Sequence, residues 1–270
     1  MKHTKEGQPK RSSIICLNLN ETEVAKDSVR IALKEGHEVI LVDNGSTDGG
    51  KEYFRTIKDK NFIFIDIPVN MGISVGRNKG IDASTGENIF LLDGDILFVR
   101  GTIEEYQKVL DLYPDAGCVG QNSMELLNRL GHNGTTDPVD ADFEMSKDYE
   151  VSDWFPMAWT QYGLFRGDML RKLKFTEVPP YNESGYGCED DWLFQDMKKE
   201  GYKSLSVSAP IYYHQAHGSY REFDRTGESD RTLERIDVFE KKWGKKQTWF
   251  QRINKGIEKT TRSNPNVVHL

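Results

Sequence analysis

Four short apolar runs recur in the first hundred residues, and the first ends in polar residues. They are "SIICLNLN" (13–20), "EVILVD" (38–43), "NFIFIDI" (61–67) and "NIFLLDGD" (88–95). Continuous rather than alternating apolar character marks strands buried on both faces of a parallel sheet. Between the runs lie stretches of helical character. Residues 22–35 carry apolar Val24, Val29, Ile31 and Leu33. "KEYFRTIKD" (51–59) reads as a second helix, and "NMGISVGRNKGIDAS" (70–84) as a loop leading into a third. Strands alternating with helices at this spacing predict an α/β fold, with a mainly parallel central sheet flanked by helices. No internal repeat is visible.

The order changes after residue 100. "TIEEYQKVLDLYPD" (102–115) predicts a helix and "GCVGQN" (117–122) a short strand. Residues 128–153 are polar, acidic and turn-rich, and read as a long loop of the kind that often carries function. "FPMAWTQYGLFRGDMLRKL" (155–173) brings strand and helix back. "EDDWLFQDMKKEGY" (189–202) predicts a helix whose acidic start and basic end suit the macrodipole. The expected organisation is a loose leader (1–12), one domain (13–230, in halves 13–100 and 101–230) and a basic helical appendage (231–270).

Composition narrows the field. Hydrophobic content of 37% and aromatic content of 11% support a packed core. A net charge of −7 argues against general nucleic-acid binding, which wants a basic face. No apolar stretch approaches the ~20 residues of a membrane span. The polar start "MKHTKEGQPKRSS" lacks the apolar core of a secretion signal. Cys16, Cys118 and Cys188 are odd in number and widely spaced, as in a reducing compartment. A cytoplasmic protein is expected. Residues 241–262 hold eight Lys or Arg against one Glu, with Trp243, Trp249 and Phe250 among them. That segment either seats on an anionic membrane surface or packs on the domain through its aromatics.

Three groups of residues carry candidate chemistry. Asp93 and Asp95 flank Gly94 at the end of the fourth run, and side chains two apart on an extended chain point the same way. The tripeptide is either a D-G turn or a site for a divalent cation bridging to phosphate oxygens, as Mg²⁺ or Mn²⁺ prefer oxygen ligands. "VDNGSTDGG" (42–50) puts Asp43 at a strand end, with Ser46, Thr47 and Asp48 placed to cap the next helix. "NMGISVGRNKG" (70–80) surrounds Arg77 with glycines, which suits an anionic ligand.

In this order and spacing, the motifs of residues 13–100 resemble the nucleotide-binding half of family 2 glycosyltransferases with the GT-A fold. The resemblance implies a nucleotide-diphosphate sugar as donor, UDP-linked by expectation, with Mn²⁺ or Mg²⁺. It assigns donor binding to Asn18, Asn20, Asp43, Asn70, Gly72, Arg77, Asp93 and Gly94. Asp43 would contact the base, Asp93 the ribose or sugar, Arg77 the base or diphosphate, and Asp95 the metal. "GYGCEDDWLFQDMKKEGY" (185–202) resembles the acidic motif before the catalytic helix, and is also similar to galactosyltransferase and polypeptide N-acetylgalactosaminyltransferase motifs. By position Asp190 would be the general base and Glu189 would hold the acceptor, with Asp191 beside them. The same three acids are also favoured first-turn residues of any helix. In "PIYYHQAHGSY" (210–220) the spacing from His214 to Ser219 resembles the family's metal-completing histidine, and His217 is the alternative. Tyr186 and Trp159 are candidates to stack on an acceptor sugar.

A hexosyl- or N-acetylhexosaminyltransferase acting by inversion is therefore expected. Its acceptor would be a glycan, a lipid-linked saccharide or another hydroxyl compound. A retaining transferase and a binding module without turnover are the alternatives. A sugar nucleotidyltransferase or a dinucleotide oxidoreductase would need a Gly-rich loop after the first strand, where this chain has "NLNETEV" (18–24).

Overall fold

A computed structural model describes residues 11–121, 150–152, 160–177, 189–207 and 268–269. Strands β1 (Ser12–Asn18), β2 (Glu38–Asn44), β3 (Phe62–Ile67) and β4 (Asn88–Asp93) pair in parallel. Helices α1 (Thr22–Lys34), α2 (Gly50–Thr56) and α3 (Ile73–Ala83) connect them in sequence. Three of the four apolar runs are buried as their patterning predicts, while β3, at the edge of the sheet, is mostly half-buried because only β2 pairs with it. Ile14, Cys16, Val39, Leu41, Phe90 and Leu92 enter the core on one face. Their neighbours Ile15, Ile40, Val42, Ile89 and Leu91 enter a second core on the other. With both faces covered, a strand has no polar side to show, and each fully buried side chain contributes about 1.5–3 kcal/mol.

α1 and α4 (Thr102–Leu112) cover the first face through Val24, Val29, Ile103 and Val109. α3 covers the second through Ile81, together with α5 (Gly167–Leu173) and α6 (Glu189–Lys199). The sheet grows beyond β4 with β5 (Ala116–Gln121), β6 (Glu150–Ser152), β7 (Tyr162–Arg166), β8 (Lys203–Val207) and β9 (Val268–His269). The strand order is β3-β2-β1-β4-β7-β5-β8-β6-β9. β7 runs antiparallel to both β4 and β5, so the second half is mixed while the first is wholly parallel. β6, within a segment whose composition predicts a loop, pairs antiparallel with β8 and β9. β8 and β9 are likewise strands that no apolar run announces. No helix among the described residues is long and apolar enough to cross a membrane.

The order matters for function. The chain winds outward from β1 to β3, then returns to lay β4 on the other side of β1. A crevice opens beyond the carboxyl ends of the strands where the winding reverses, and ligands of open α/β sheets bind there. Asn18 and Asp93 end the two strands that border it.

Candidate active site

The site forms where four parallel strands end together. Asn18 lies opposite Asp43 in the β1–β2 register, and Asp43 lies opposite Asp66 in β2–β3. Asp43 is fully buried. Its Oδ2 accepts from Asn18 Nδ2 at 3.1 Å, and its Oδ1 accepts from the Ser46 backbone N–H at 2.9 Å. Lys51 Nζ lies 3.4 Å from Asp43 and 2.9 Å from Asp66. Bonding to Asp66 and the charge of Asp43 outweigh the opposing effect of burial and raise the Lys51 pKa. A buried carboxylate is thus paired and hydrogen-bonded, as its desolvation demands.

The asparagines knit the loops of this edge. Asn20 takes a left-handed backbone (φ 58°), which asparagine tolerates better than most residues, and its Oδ1 accepts from the Thr47 N–H at 2.7 Å. Asn70 Oδ1 accepts from Asn44 Nδ2 at 3.0 Å and from the Gly72 N–H at 2.9 Å. Gly72 opens α3 at φ 86°, a conformation suited to glycine. These contacts hold the mouth of the crevice.

Gly94 begins the turn after β4, and its N–H donates to Leu17 O at 2.7 Å. A Cβ there would stand 2.9 Å from Asn18 Oδ1 and 3.0 Å from Leu17 O. The glycine lets the turn press against the end of β1. Asn18 Oδ1, its nearest neighbour, is buried and has no hydrogen-bond partner among the described residues.

Arg77 organises the rest. It is only 3% exposed, turned inward from α3, with its guanidinium 5.2 Å from the centre of the Phe175 ring. Nη2 donates to Asp93 Oδ1 at 2.9 Å. Nη1 donates to Thr160 Oγ1 at 2.6 Å and to Asp190 Oδ1 at 3.3 Å. The Thr160 hydroxyl donates to the same Asp190 oxygen. Burial opposes the Arg77 charge, but Asp93, Asp190 and Glu189 outweigh it and raise its pKa. Asp93 also has a raised pKa. Burial is the main cause, and Asp95 and Asp190 add to it against the pull of Arg77. Next to Arg77, Asn78 exchanges two hydrogen bonds with the Phe175 backbone, both 2.9 Å, and so seats the aromatic ring.

Asp93, Glu189 and Asp190 thus surround one guanidinium, and Asp95 adds a fourth carboxylate beside Asp93. An acidic excess of oxygen donors is a chemical fit for a hard divalent cation. Of the residues singled out in the sequence, those of the first half and the start of α6 come to this edge. Asp191 occupies the first turn of α6. Trp159, Tyr186, His214 and His217 lie outside the described residues. Sequence reasoning missed Thr160, Lys51 and Phe175. Thr160 sits inside the quoted "WTQYGLF" segment, yet nothing in its spacing singles out a threonine.

A family model described as glycosyl transferase family 2 matches residues 13–173, more than half of the chain. The chain belongs to glycosyl transferase family 2. Among curated proteins, a cholesterol galactosyltransferase of Borreliella burgdorferi is 42% identical over 90 residues, 32% of this chain and 25% of its own length. A poly-beta-1,6-N-acetyl-D-glucosamine synthase of Staphylococcus aureus is 35% identical over 82 residues, 29% of this chain and 20% of its own. The matches thus span a quarter or less of these relatives. Among solved structures, the Pyrobaculum calidifontis mannosyltransferase PcManGT, in complex with GDP-Man and Mn²⁺, superposes with a TM-score of 0.53 at 18% identity. That match covers 76% of this chain and 56% of the other. S. aureus TarS (1–349) gives 0.55 at 16%, over 87% and 74%. The complex of TarS with UDP-GlcNAc gives 0.53 at 15%, over 84% and 66%. These likenesses establish the GT-A glycosyltransferase fold expected from the resemblance.

Proposed function

We propose that this protein transfers a sugar from a nucleotide-diphosphate sugar, UDP-linked, to an acceptor hydroxyl with inversion at the anomeric carbon. One observation carries the reading: a single buried guanidinium joins Asp93 on the nucleotide side to Asp190 at the start of α6. The solved relatives hold UDP-GlcNAc or GDP-Man, which supports a donor of this class.

A sugar hydroxyl attacks well only if a base takes its proton as the new bond forms. Asp190 is that base. Its Oδ1 is held by Thr160 and Arg77, while its Oδ2 makes no hydrogen bond among the described residues and stays available to the acceptor. Its side chain is 31% exposed, enough to meet a substrate. Glu189 holds the acceptor beside it. Asp93 is fixed by Arg77 with 28% of its side chain open, and takes the ribose or sugar hydroxyls of the donor. Asp43, braced by Asn18, Ser46 and Lys51, sets the wall against which the base rests.

Asp95 would hold Mn²⁺ or Mg²⁺ together with His214 or His217, and such an ion neutralises the departing diphosphate when bound. Segment 241–262 would seat the cytoplasmic enzyme on an anionic membrane surface, where a lipid-linked acceptor is presented.

A panel of UDP- and GDP-sugars with Mn²⁺ and hydroxyl acceptors tests this, read by nucleotide release and by NMR of the product anomer. Cation-dependent release of UDP and a β-linked product from an α-linked donor are expected. UDP binding without release would favour a binding module, and an α-linked product a retaining transferase.

A further inference from the structure

The opposite edge of the sheet carries a second cluster that the donor site does not use. His37 stands immediately before β2, six residues and about 20 Å of strand from Asp43. It is 7% exposed, and its Nε2 is buried without a hydrogen-bond partner among the described residues. Nε2 lies 3.6 Å from Glu35 Oε2 and 3.9 Å from Glu104 Oε1. The three donor atoms all fall within 4.8 Å of one another.

Those separations decide the chemistry. An N–H···O hydrogen bond closes to 2.7–3.2 Å, and neither carboxylate has come that near. Ligands on a tetrahedral zinc ion, with bonds near 2.1 Å, stand about 3.4 Å apart. The cluster is therefore too open for hydrogen bonds and close to the spacing of ligands on one ion. Imidazole nitrogen with carboxylate oxygen suits Zn²⁺ rather than Mg²⁺, which prefers oxygen alone.

The donors are also held as a metal site requires. Glu35 Oε1 accepts the Gly101 N–H at 3.0 Å, which leaves Oε2, itself buried and unpartnered, directed at His37. A fixed outer contact of this kind orients a ligand. The Phe98 ring meets the imidazole edge to face at 6.5 Å and limits its rotation. Glu104 lies in the first turn of α4 and is 52% exposed, so an ion can enter from solvent.

We propose that Glu35, His37 and Glu104 form a structural Zn²⁺ site, with water as the fourth ligand, that ties the end of α1, the entry to β2 and the start of α4. It is independent of the donor site and of the transfer reaction.

The test uses the full chain carrying Asp95→Ala, which removes a cation ligand at the opposite edge. Zn²⁺ is titrated by competition with a chromophoric chelator, and the thermal midpoint is read with and without the ion. Zinc is expected to raise the midpoint. Glu104→Gln, at a half-exposed position that leaves the fold intact, should weaken zinc binding about tenfold or more and shrink the rise. His37→Gln should abolish both. Co²⁺ should give the intense visible bands of a four-coordinate ion, absent from the His37→Gln chain. Zinc affinity within twofold of the parent in both variants would overturn the site, even if zinc still bound through histidines elsewhere. So would a midpoint that zinc does not move in the parent.

Discussion

Arg77 on α3 donates to Asp93 at 2.9 Å and to Asp190 at 3.3 Å, although Asp190 lies 113 positions further along the chain. One guanidinium thereby fixes the carboxylate that ends β4 and the start of α6 in a single frame. Arginine suits the task because its planar fork reaches two partners at once.

Removing that fork should leave the half-buried Asp93 and Asp190 carboxylates without a counter-charge. Arg77→Met is expected to lower stability by about 3–5 kcal/mol in urea unfolding, the usual result of breaking a buried ion pair from one side. Arg77→Lys restores the charge but not the two-armed reach. It should recover part of the stability while UDP release stays well below wild type. Wild-type stability in Arg77→Met would contradict this role.

Asp95 is assigned to the cation, so its loss should show as lost metal response. Asp95→Ala should turn over slowly and equally with Mn²⁺ and with EDTA. Wild-type rate and metal demand in this variant would remove Asp95 from the metal site.

Gly94 is needed for space. In Gly94→Ala the new methyl meets Asn18 Oδ1 at 2.9 Å and the Leu17 carbonyl at 3.0 Å. β1 and the turn must part, at about 1–3 kcal/mol as for other overpacked sites. The thermal midpoint should fall, and UDP should bind more weakly because Asn18 and Asp93 border the crevice.

Glu38 gives the fold an acid limit. Burial alone would raise its pKa, but bonds from Ser13 and from the Thr85 hydroxyl and N–H, with the Arg11 charge, hold it below the ordinary 4.5. A carboxyl with a depressed folded pKa stabilises above its unfolded value, and that contribution is lost as pH falls through the folded value. Glu38→Gln should be less stable than wild type by about 1–3 kcal/mol at pH 7. The gap should narrow steadily below pH 4.5 in denaturant titrations. A gap independent of pH would show that the charge is not what Ser13 and Thr85 bind.

The parallel half was legible because its three inner strands, β1, β2 and β4, are buried on both faces. The middle of "EVILVD" must be apolar, since Val39 and Leu41 face one core and Ile40 and Val42 the other. β6 was not legible, since Glu150–Ser152 has no apolar run and owes its form to pairing with β8 and β9. The acids of the site were visible as residue types at strand and helix ends. Their organiser was only half visible. Arg77 reads as an anion-binding residue in a Gly-rich loop, yet it points into the protein, because Thr160, Asp190 and Phe175 arrive from distant segments that spacing cannot bring together. The Glu35, His37 and Glu104 cluster was invisible for the same reason, since Glu104 reaches it only through the packing of α4.

The central claim is that the Asp190 carboxylate takes the acceptor's proton. The most direct test is the rate of UDP release by Asp190→Asn at saturating donor and acceptor, with UDP affinity measured on the same preparation. Asparagine keeps the shape and can still accept from Thr160 and Arg77, but it cannot serve as a base. A fall in kcat of about 10²–10⁴-fold with UDP affinity unchanged is predicted. A kcat within a few fold of wild type would contradict it.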